Sequence, residues 1–168
     1  GLIKTDGTRQ ALTFPNTSGG LRLYDFRPTV TSDGTNFLVV AEQARDNATG
    51  GEDTLLVLRR LDANGNALGV QRKQVTLADR TAPLTSPSLM YDPVWRGDSY
   101  RIAWRFNHLG AINFQNYTPE LTPLGDTMIV ATDVLISPAL SEISLAYSPL
   151  TNQDLLLYKQ TGNWVAGR

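Results

Sequence analysis

The stretch Leu61-Asp-Ala-Asn-Gly-Asn-Ala-Leu-Gly69 decides the fold, because it returns later in the chain as Tyr117-Thr-Pro-Glu-Leu-Thr-Pro-Leu-Gly125. The two closing glycines stand 56 positions apart, and Tyr91 and Tyr147 show the same spacing. Asn-Gly tolerates the positive φ of a tight hairpin, so we expect each copy to join two antiparallel strands. The two landmarks together predict an internal repeat with this period.

Short apolar segments separate the turn residues, which include 14 glycines and 9 prolines. Phe37-Leu-Val-Val-Ala41 and Leu155-Leu-Leu-Tyr158 are continuous, as expected of strands buried on both faces. We find no amphipathic helix, and Pro138 interrupts the one segment, 133–146, that could hold a helical turn. The predicted strands are Ala11–Phe14, Leu21–Phe26, Pro28–Thr31, Phe37–Gln43, Thr54–Leu61, Val70–Leu77, Ser88–Tyr91, Tyr100–Phe106, Ala111–Tyr117, Thr127–Ala131, Ile143–Tyr147, Asp154–Lys159 and Trp164–Ala166.

Each repeat therefore contains about four predicted strands, which is typical of a β-propeller blade. We predict an all-β fold in which residues 1–168 form one domain of about three propeller-like blades. The repeats span residues 27–85, 86–136 and 137–168, and residues 1–26 close the last one. Because three blades curve too little to close a ring, we expect completion by a homo-oligomer or by a longer parent chain. An immunoglobulin-like sandwich also has many short strands, but it does not predict internal repeats.

Composition excludes several classes of function. Lys and Arg number 15 against 16 Asp and Glu, for a net charge of -1, so the basic excess of a nucleic-acid binder is missing. The chain has no cysteine and one histidine, His108, which excludes disulfides, thiolate metal sites and histidine-rich metal sites. We therefore expect no cofactor and no metal. No apolar run reaches the roughly 18 residues of a membrane span.

The run Arg27-Pro-Thr-Val-Thr-Ser-Asp-Gly-Thr-Asn-Phe-Leu-Val-Val40, followed by Leu58-Arg-Arg-Leu-Asp-Ala-Asn-Gly-Asn-Ala-Leu-Gly69, resembles a propeller-like repeat of large secreted or surface proteins of bacteria. The shared pattern is Pro-x-Val, then Asp-Gly-x-x-aromatic-Leu-Val-Val, then Arg-x-x-Asp-x-x-Gly-x-x-Leu-Gly. The second repeat departs from it, since Asp92-Pro replaces Asp-Gly. The resemblance implies the fold and a secreted or cell-surface location, and it carries no catalytic residue.

Aromatic and polar residues near the predicted turns are the candidate ligand contacts. Aromatic faces bind pyranose rings, and nearby charged or amide groups fix the hydroxyls. Core packing is favoured for most of the aromatic residues, above all for Trp104, which lies within a continuous apolar strand. The aromatic candidates are Trp95, Trp104, Trp164, Tyr91, Tyr100, Tyr117, Tyr147 and Tyr158, and the predicted ligand-binding residues are Trp95, Trp164, Arg96, Asp98 and Tyr100.

Other motifs leave alternatives open. Arg96-Gly97-Asp98 is an RGD tripeptide, which is consistent with adhesion or with an ordinary hairpin turn. Asp62, Asn64 and Asn66 alternate like the first ligands of a calcium loop, but the distant Glu of an EF-hand is missing, so a hairpin is favoured. Because no catalytic constellation is evident, we expect a non-enzymatic recognition module that binds a glycan or a protein. The alternative is a structural or assembly subunit, and a glycan-active enzyme ranks last.

Overall fold

The protein is all-β, as predicted. The computed structural model describes residues 2–3, 7–10, 23–46, 52–74, 89–106, 111–131, 143–160 and 163–167. Every regular element within these ranges is a strand, and every strand pairing is antiparallel. No helix in these ranges is long and apolar enough to cross a membrane.

The strands group into sheets in chain order. They are β1 (Leu2–Ile3), β2 (Arg9–Gln10), β3 (Leu23–Ser32), β4 (Phe37–Asp46), β5 (Glu52–Leu61), β6 (Ala67–Gln74), β7 (Leu89–Trp95), β8 (Tyr100–Phe106), β9 (Ile112–Tyr117), β10 (Pro123–Ala131), β11 (Ile143–Ser148), β12 (Gln153–Gln160) and β13 (Asn163–Gly167). Strands β3–β6 form the first sheet, β7–β10 the central sheet and β11–β13 the third sheet, while β1 pairs with β2. None of these sheets closes on itself in the described part of the chain.

The observed strands differ from the predicted ones at a few points. The described part of the predicted strand Leu21–Phe26 and the predicted strand Pro28–Thr31 belong to one strand, β3 (Leu23–Ser32), because a bulge between Phe26 and Thr29 accommodates the proline. The short strands β1 and β2 are not among the predicted ones. The predicted strand Ala11–Phe14 lies outside the described residues, as does most of the segment 1–26 that is expected to close the third sheet.

The two hairpin loops that define the repeat have the same backbone structure. In the loop 62–66 the Asp62 N–H donates to the Asn66 carbonyl at 2.9 Å, and in 118–122 the Thr118 N–H donates to the Thr122 carbonyl at 2.8 Å. The fourth residue of each loop has positive φ, 82° at Gly65 and 70° at Leu121. The repeat of 56 positions at this landmark is therefore a repeat of structure.

The second landmark is not equivalent in the two sheets. Tyr91 lies four residues before the end of β7, whereas Tyr147 lies one residue before the end of β11. The segment 132–142 between the central and third sheets is shorter than the segment 75–88 between the first and central sheets. The equal spacing of the two tyrosines therefore does not place them at the same position in their sheets.

The central sheet is packed on both faces. Alternate side chains of β8 point in opposite directions, so Tyr100, Ile102 and Trp104 join a core shared with the first sheet. Ala103 joins a second core shared with the third sheet, together with Phe114 of β9. Trp104 is 2% exposed, which confirms the prediction that it is a core residue.

Strand β7 is joined to both neighbouring sheets by adjacent polar side chains. The Tyr91 hydroxyl donates to the Arg27 carbonyl of β3 at 2.6 Å and accepts from the Glu42 N–H of β4 at 2.8 Å. It therefore links β3 and β4 at the bulge. The next residue, Asp92, accepts from the Leu145 N–H of β11 at 2.7 Å. Burial raises the pKa of the Asp92 carboxyl, and this hydrogen bond opposes the rise. One strand therefore positions all three sheets.

A lysine adds a second contact between the first and central sheets. The Lys73 ammonium on β6 donates to the Gln115 side-chain oxygen at 3.0 Å and lies 4.7 Å from the centroid of the Trp104 ring. Burial lowers the pKa of Lys73, because the charged amine is partly removed from water. Lys73 therefore ties the last strand of the first sheet to the central sheet.

The two continuous apolar runs have different surroundings. In the first, Leu38, Val40 and Ala41 of β4 are buried, and Val39 is half-buried, so both faces of this strand are covered largely as predicted. In the second, only Leu156 of β12 is buried. The prediction that Leu155–Tyr158 is buried on both faces is therefore wrong for the single chain, because the described residues cover only the face toward the central sheet.

The uncovered face of β12 is apolar and accessible. Leu155 and Leu157 are 44% and 37% exposed. They share this face with Ala146 and Ser144, their partners across the strand pair. We call these four residues the outer face of the third sheet.

We expect Tyr91→Phe to lower the free energy of unfolding by about 1–3 kcal/mol, because it leaves the buried Glu42 N–H and the Arg27 carbonyl without this partner. Urea denaturation followed by tryptophan fluorescence measures the change. The matched control is Tyr147→Phe, whose hydroxyl bonds to the exposed Asn152, and it should change stability by less than about 0.5 kcal/mol. Equal effects of the two substitutions would contradict the bridging role of Tyr91.

Candidate functional site

Five turns of the described ranges lie at one end of the stacked sheets, which we call the turn end. Turns 33–36, 96–99 and 149–152 join the first two strands of each sheet, and hairpin loops 62–66 and 118–122 lie at the same end. Side chains connect one turn to the next across the sheets. The Tyr100 hydroxyl donates to Asp33 at 2.9 Å, and Arg96 donates to Asn152 at 3.3 Å. Charged and aromatic side chains of three sheets therefore meet at this end.

Asp33 organises the turn end of the first sheet. One carboxylate oxygen accepts from the Thr35 and Asn36 N–H groups at 2.8 and 2.6 Å, and the other accepts from the Tyr100 hydroxyl. Arg60 approaches the second oxygen to 4.0 Å. Burial raises the pKa of the Asp33 carboxyl, but hydrogen bonds from Asn36, Thr35 and Tyr100 outweigh it and lower the pKa to about 2. Because its carboxylate holds the turn through Thr35 and Asn36 and links it to the central sheet through Tyr100, Asp33 is a structural group.

A second polar cluster lies between the central and third sheets. We call it the Arg96 group, and it consists of Arg96, Arg101, Tyr147, Asn152 and Asp154. The Arg101 Nη1 donates a charge-assisted hydrogen bond to one oxygen of Asp154, and the Arg96 Nε lies 3.3 Å from the other oxygen of the same carboxylate. Two guanidinium groups therefore share one carboxylate.

Neutral groups complete the Arg96 group. The Asn152 side-chain oxygen accepts from Arg96 at 3.3 Å and from the Tyr147 hydroxyl at 3.1 Å. The Arg96 guanidinium lies over the Tyr147 ring, 5.1 Å from its centroid. These contacts fix the ring, the amide and the guanidinium relative to one another.

Deeper contacts hold Arg101 in place. Its Nε donates to the Asn116 side-chain oxygen at 2.8 Å, and its guanidinium lies 5.3 Å from the centroid of the Phe114 ring. Burial lowers the pKa of Arg101, the Asp154 carboxylate opposes the lowering, and Arg96 adds to it. A guanidinium stays charged at neutral pH nonetheless, so both arginines of the group are cations.

Two of the three predicted ligand-binding aromatic residues, Trp95 and Tyr100, lie outside the Arg96 group. Tyr100 is 0% exposed and packs in the first core, so its ring is not accessible to a ligand. Trp95 packs against Tyr100 with the ring centroids 4.8 Å apart, and it is partly buried. The backbone of Trp164 pairs with Lys159, and the Trp164 side chain lies outside the described part of the structure.

The predicted polar residues, Arg96 and Asp98, share the tight turn that the RGD tripeptide forms. Gly97 has a φ of 95°, and the Arg96 N–H donates to the Ser99 carbonyl at 2.9 Å. Asp98 is exposed, and its carboxylate accepts from the Ser99 hydroxyl at 2.7 Å. The Arg96 side chain is 19% exposed and contacts Asp154, so it does not extend freely from the turn. The adhesion hypothesis for this tripeptide stays a prediction.

The sequence-based prediction missed three members of the group: Arg101, Asn152 and Asp154. No repeat spacing marked these residues in the sequence. Arg101 and Asp154 are the second residues of β8 and β12, and they stand 53 positions apart, whereas the two sequence landmarks are spaced by 56. Arg96 and Asn152 do stand 56 positions apart, but they lie at opposite ends of their turns, so this spacing is not a structural equivalence.

Comparison with known protein families, with curated proteins and with solved structures finds no match to this chain. Among the described residues, no group of three or more His, Asp or Glu side chains is placed to hold a metal ion. The side chains of the Arg96 group offer an aromatic ring, an amide and guanidinium groups, which are the components of a binding site for a polar ligand.

We expect Asp33→Asn to destabilise the protein at neutral pH and to have a smaller effect in acid. Because folding lowers the pKa of Asp33 from its ordinary value of 3.8 to about 2, its carboxylate stabilises the fold fully above about pH 4. This contribution is lost as the pH falls through about 2. Urea denaturation of both proteins between about pH 2 and 7 measures the difference.

The control for this prediction is Asp98→Asn, which removes an exposed carboxylate of the neighbouring turn. Its effect on the free energy of unfolding should stay below about 0.5 kcal/mol. A difference between Asp33→Asn and the wild type that is constant over the whole pH range would contradict the stabilising role of the Asp33 carboxylate.

Proposed function

We propose that this protein is a non-enzymatic recognition module that binds a glycan at its turn end, between the central and third sheets. The observation that carries the proposal is the fixed arrangement of Tyr147, Arg96 and Asn152. Aromatic rings pack against the apolar faces of pyranose rings, while amide and guanidinium groups bond to hydroxyls. A site fixed in advance loses less entropy on binding than a mobile one.

We further propose that the three sheets are successive blades of a propeller-like repeat. The contacts of β7 with both β3 and β11 support this arrangement, because the first strands of successive blades lie side by side around the axis of a propeller. The resemblance of the sequence to repeats of secreted and surface proteins of bacteria supports a secreted or cell-surface location. In that setting a glycan is a ligand that the module would encounter.

We expect a glycan array to show binding that Tyr147→Ala weakens by about tenfold or more, which corresponds to about 1.4 kcal/mol. The loss follows from removal of the stacking ring. Titration calorimetry with the best glycan of the array measures it, and Val70→Ala, an exposed side chain on β6, is the control. The bound glycan should be recovered intact. An array without a binding signal, or hydrolysis of the bound glycan, would contradict the proposal.

A second candidate function is assembly, and the outer face of the third sheet favours it. The continuous apolar run of β12 is typical of a strand buried on both faces, yet Leu155 and Leu157 are each more than a third exposed. Burying this face against another chain would remove apolar surface from water. The recognition and assembly functions are compatible, because the outer face is separate from the turn end.

If the third sheet mediates assembly, light scattering on a sizing column should give a mass above the 18.4 kDa of one chain. Leu157→Glu should then return the mass to that of one chain, because it places a charge in the interface. Val70→Glu, on a different sheet, should leave the assembly intact. A wild-type mass equal to one chain would overturn this candidate.

A further inference from the structure

We infer that the glycan bound at the Arg96 group is acidic and carries a carboxylate. This inference rests on the proposed function and names the ligand class for the same site. Arg96 and Arg101 share the single carboxylate of Asp154, so the group itself holds two cations and one anion. A ligand carboxylate would balance the second cation.

Arg96 is the cation positioned to receive that carboxylate. Its Nε faces Asp154, and its Nη2 donates to Asn152, which leaves the Nη1 hydrogens without a partner among the described residues. Arg101 is the more enclosed of the two, since Asn116, Phe114 and Asp154 surround it. A guanidinium binds a carboxylate through charge-assisted hydrogen bonds, which are stronger than those to a neutral hydroxyl.

Other polar groups near the site affect its affinity for an acidic ligand. Asn152 and Tyr147 are neutral and can bond to hydroxyls of the same sugar. Asp98 is an acid in the same turn as Arg96, and its carboxylate accepts from the Ser99 hydroxyl. Because Asp98 would repel an acidic ligand, Asp98→Asn is expected to leave the affinity unchanged or to raise it.

The test compares uronic-acid oligosaccharides with their neutral methyl esters by titration calorimetry. The panel consists of oligomers of galacturonate, of mannuronate and of glucuronate, together with a sulfated galactose oligomer. For the uronic-acid oligosaccharide that binds most tightly, we expect its methyl ester to bind at least about tenfold more weakly, because the ester cannot form the charge-assisted hydrogen bond. We also expect the affinity for the acid to fall as NaCl is added, because salt screens the interaction with a partly exposed cation.

Variants locate the effect at Arg96. Arg96→Gln should remove the preference for the acid over its ester, and Arg96→Lys should keep part of it because the charge remains. Arg72→Gln, which removes an exposed arginine on the first sheet, should keep the full preference. The thermal unfolding midpoint of each variant shows that it is folded.

The outcomes separate this inference from the proposed function. Equal binding of acids and esters, or preference for the sulfated oligomer alone, would overturn the inference while glycan recognition stands. Binding of no glycan in this panel or on the array would overturn both. A preference for the acid that survives Arg96→Gln would overturn the assignment of the carboxylate to Arg96.

Discussion

Strand β7 is the element on which the arrangement of the other sheets depends. Adjacent residues of a strand point to opposite faces, so Tyr91 bonds to the first sheet while Asp92 bonds to the third. Both side chains satisfy backbone groups of neighbouring strands, which fixes the sheets in register as well as in distance. Apolar packing alone would tolerate sliding of one sheet over another, whereas these hydrogen bonds are directional.

The candidate site is a consequence of the same stacking. No single strand or turn contains it, because its two arginines come from the central sheet, while Tyr147, Asn152 and Asp154 come from the third. The hydrogen bond of Asp92 to Leu145 lies between the same two sheets and holds β7 against β11. The stability of the sheet stack and the geometry of the site are therefore coupled.

The proposed recognition and assembly functions use different parts of the third sheet. Its turn end contributes to the Arg96 group, while its outer face presents Leu155 and Leu157. An assembly through that face would hold several copies of the site in one particle. Multiple copies raise the avidity for a repetitive polymer such as a polysaccharide without any new contact.

The sequence by itself determined the all-β class, the repeated hairpin loop and the burial of Trp104, because these follow from periodicity and turn chemistry within one segment. Only the tertiary structure decided the bulge in β3, the uncovered face of β12 and the polar residues that form a site. It placed Tyr100 in the core and brought Asn152 and Asp154 to Arg96. The physical reason is that contacts between stacked sheets join residues about 50 positions apart, and no local pattern specifies the distance or direction in which two such side chains meet.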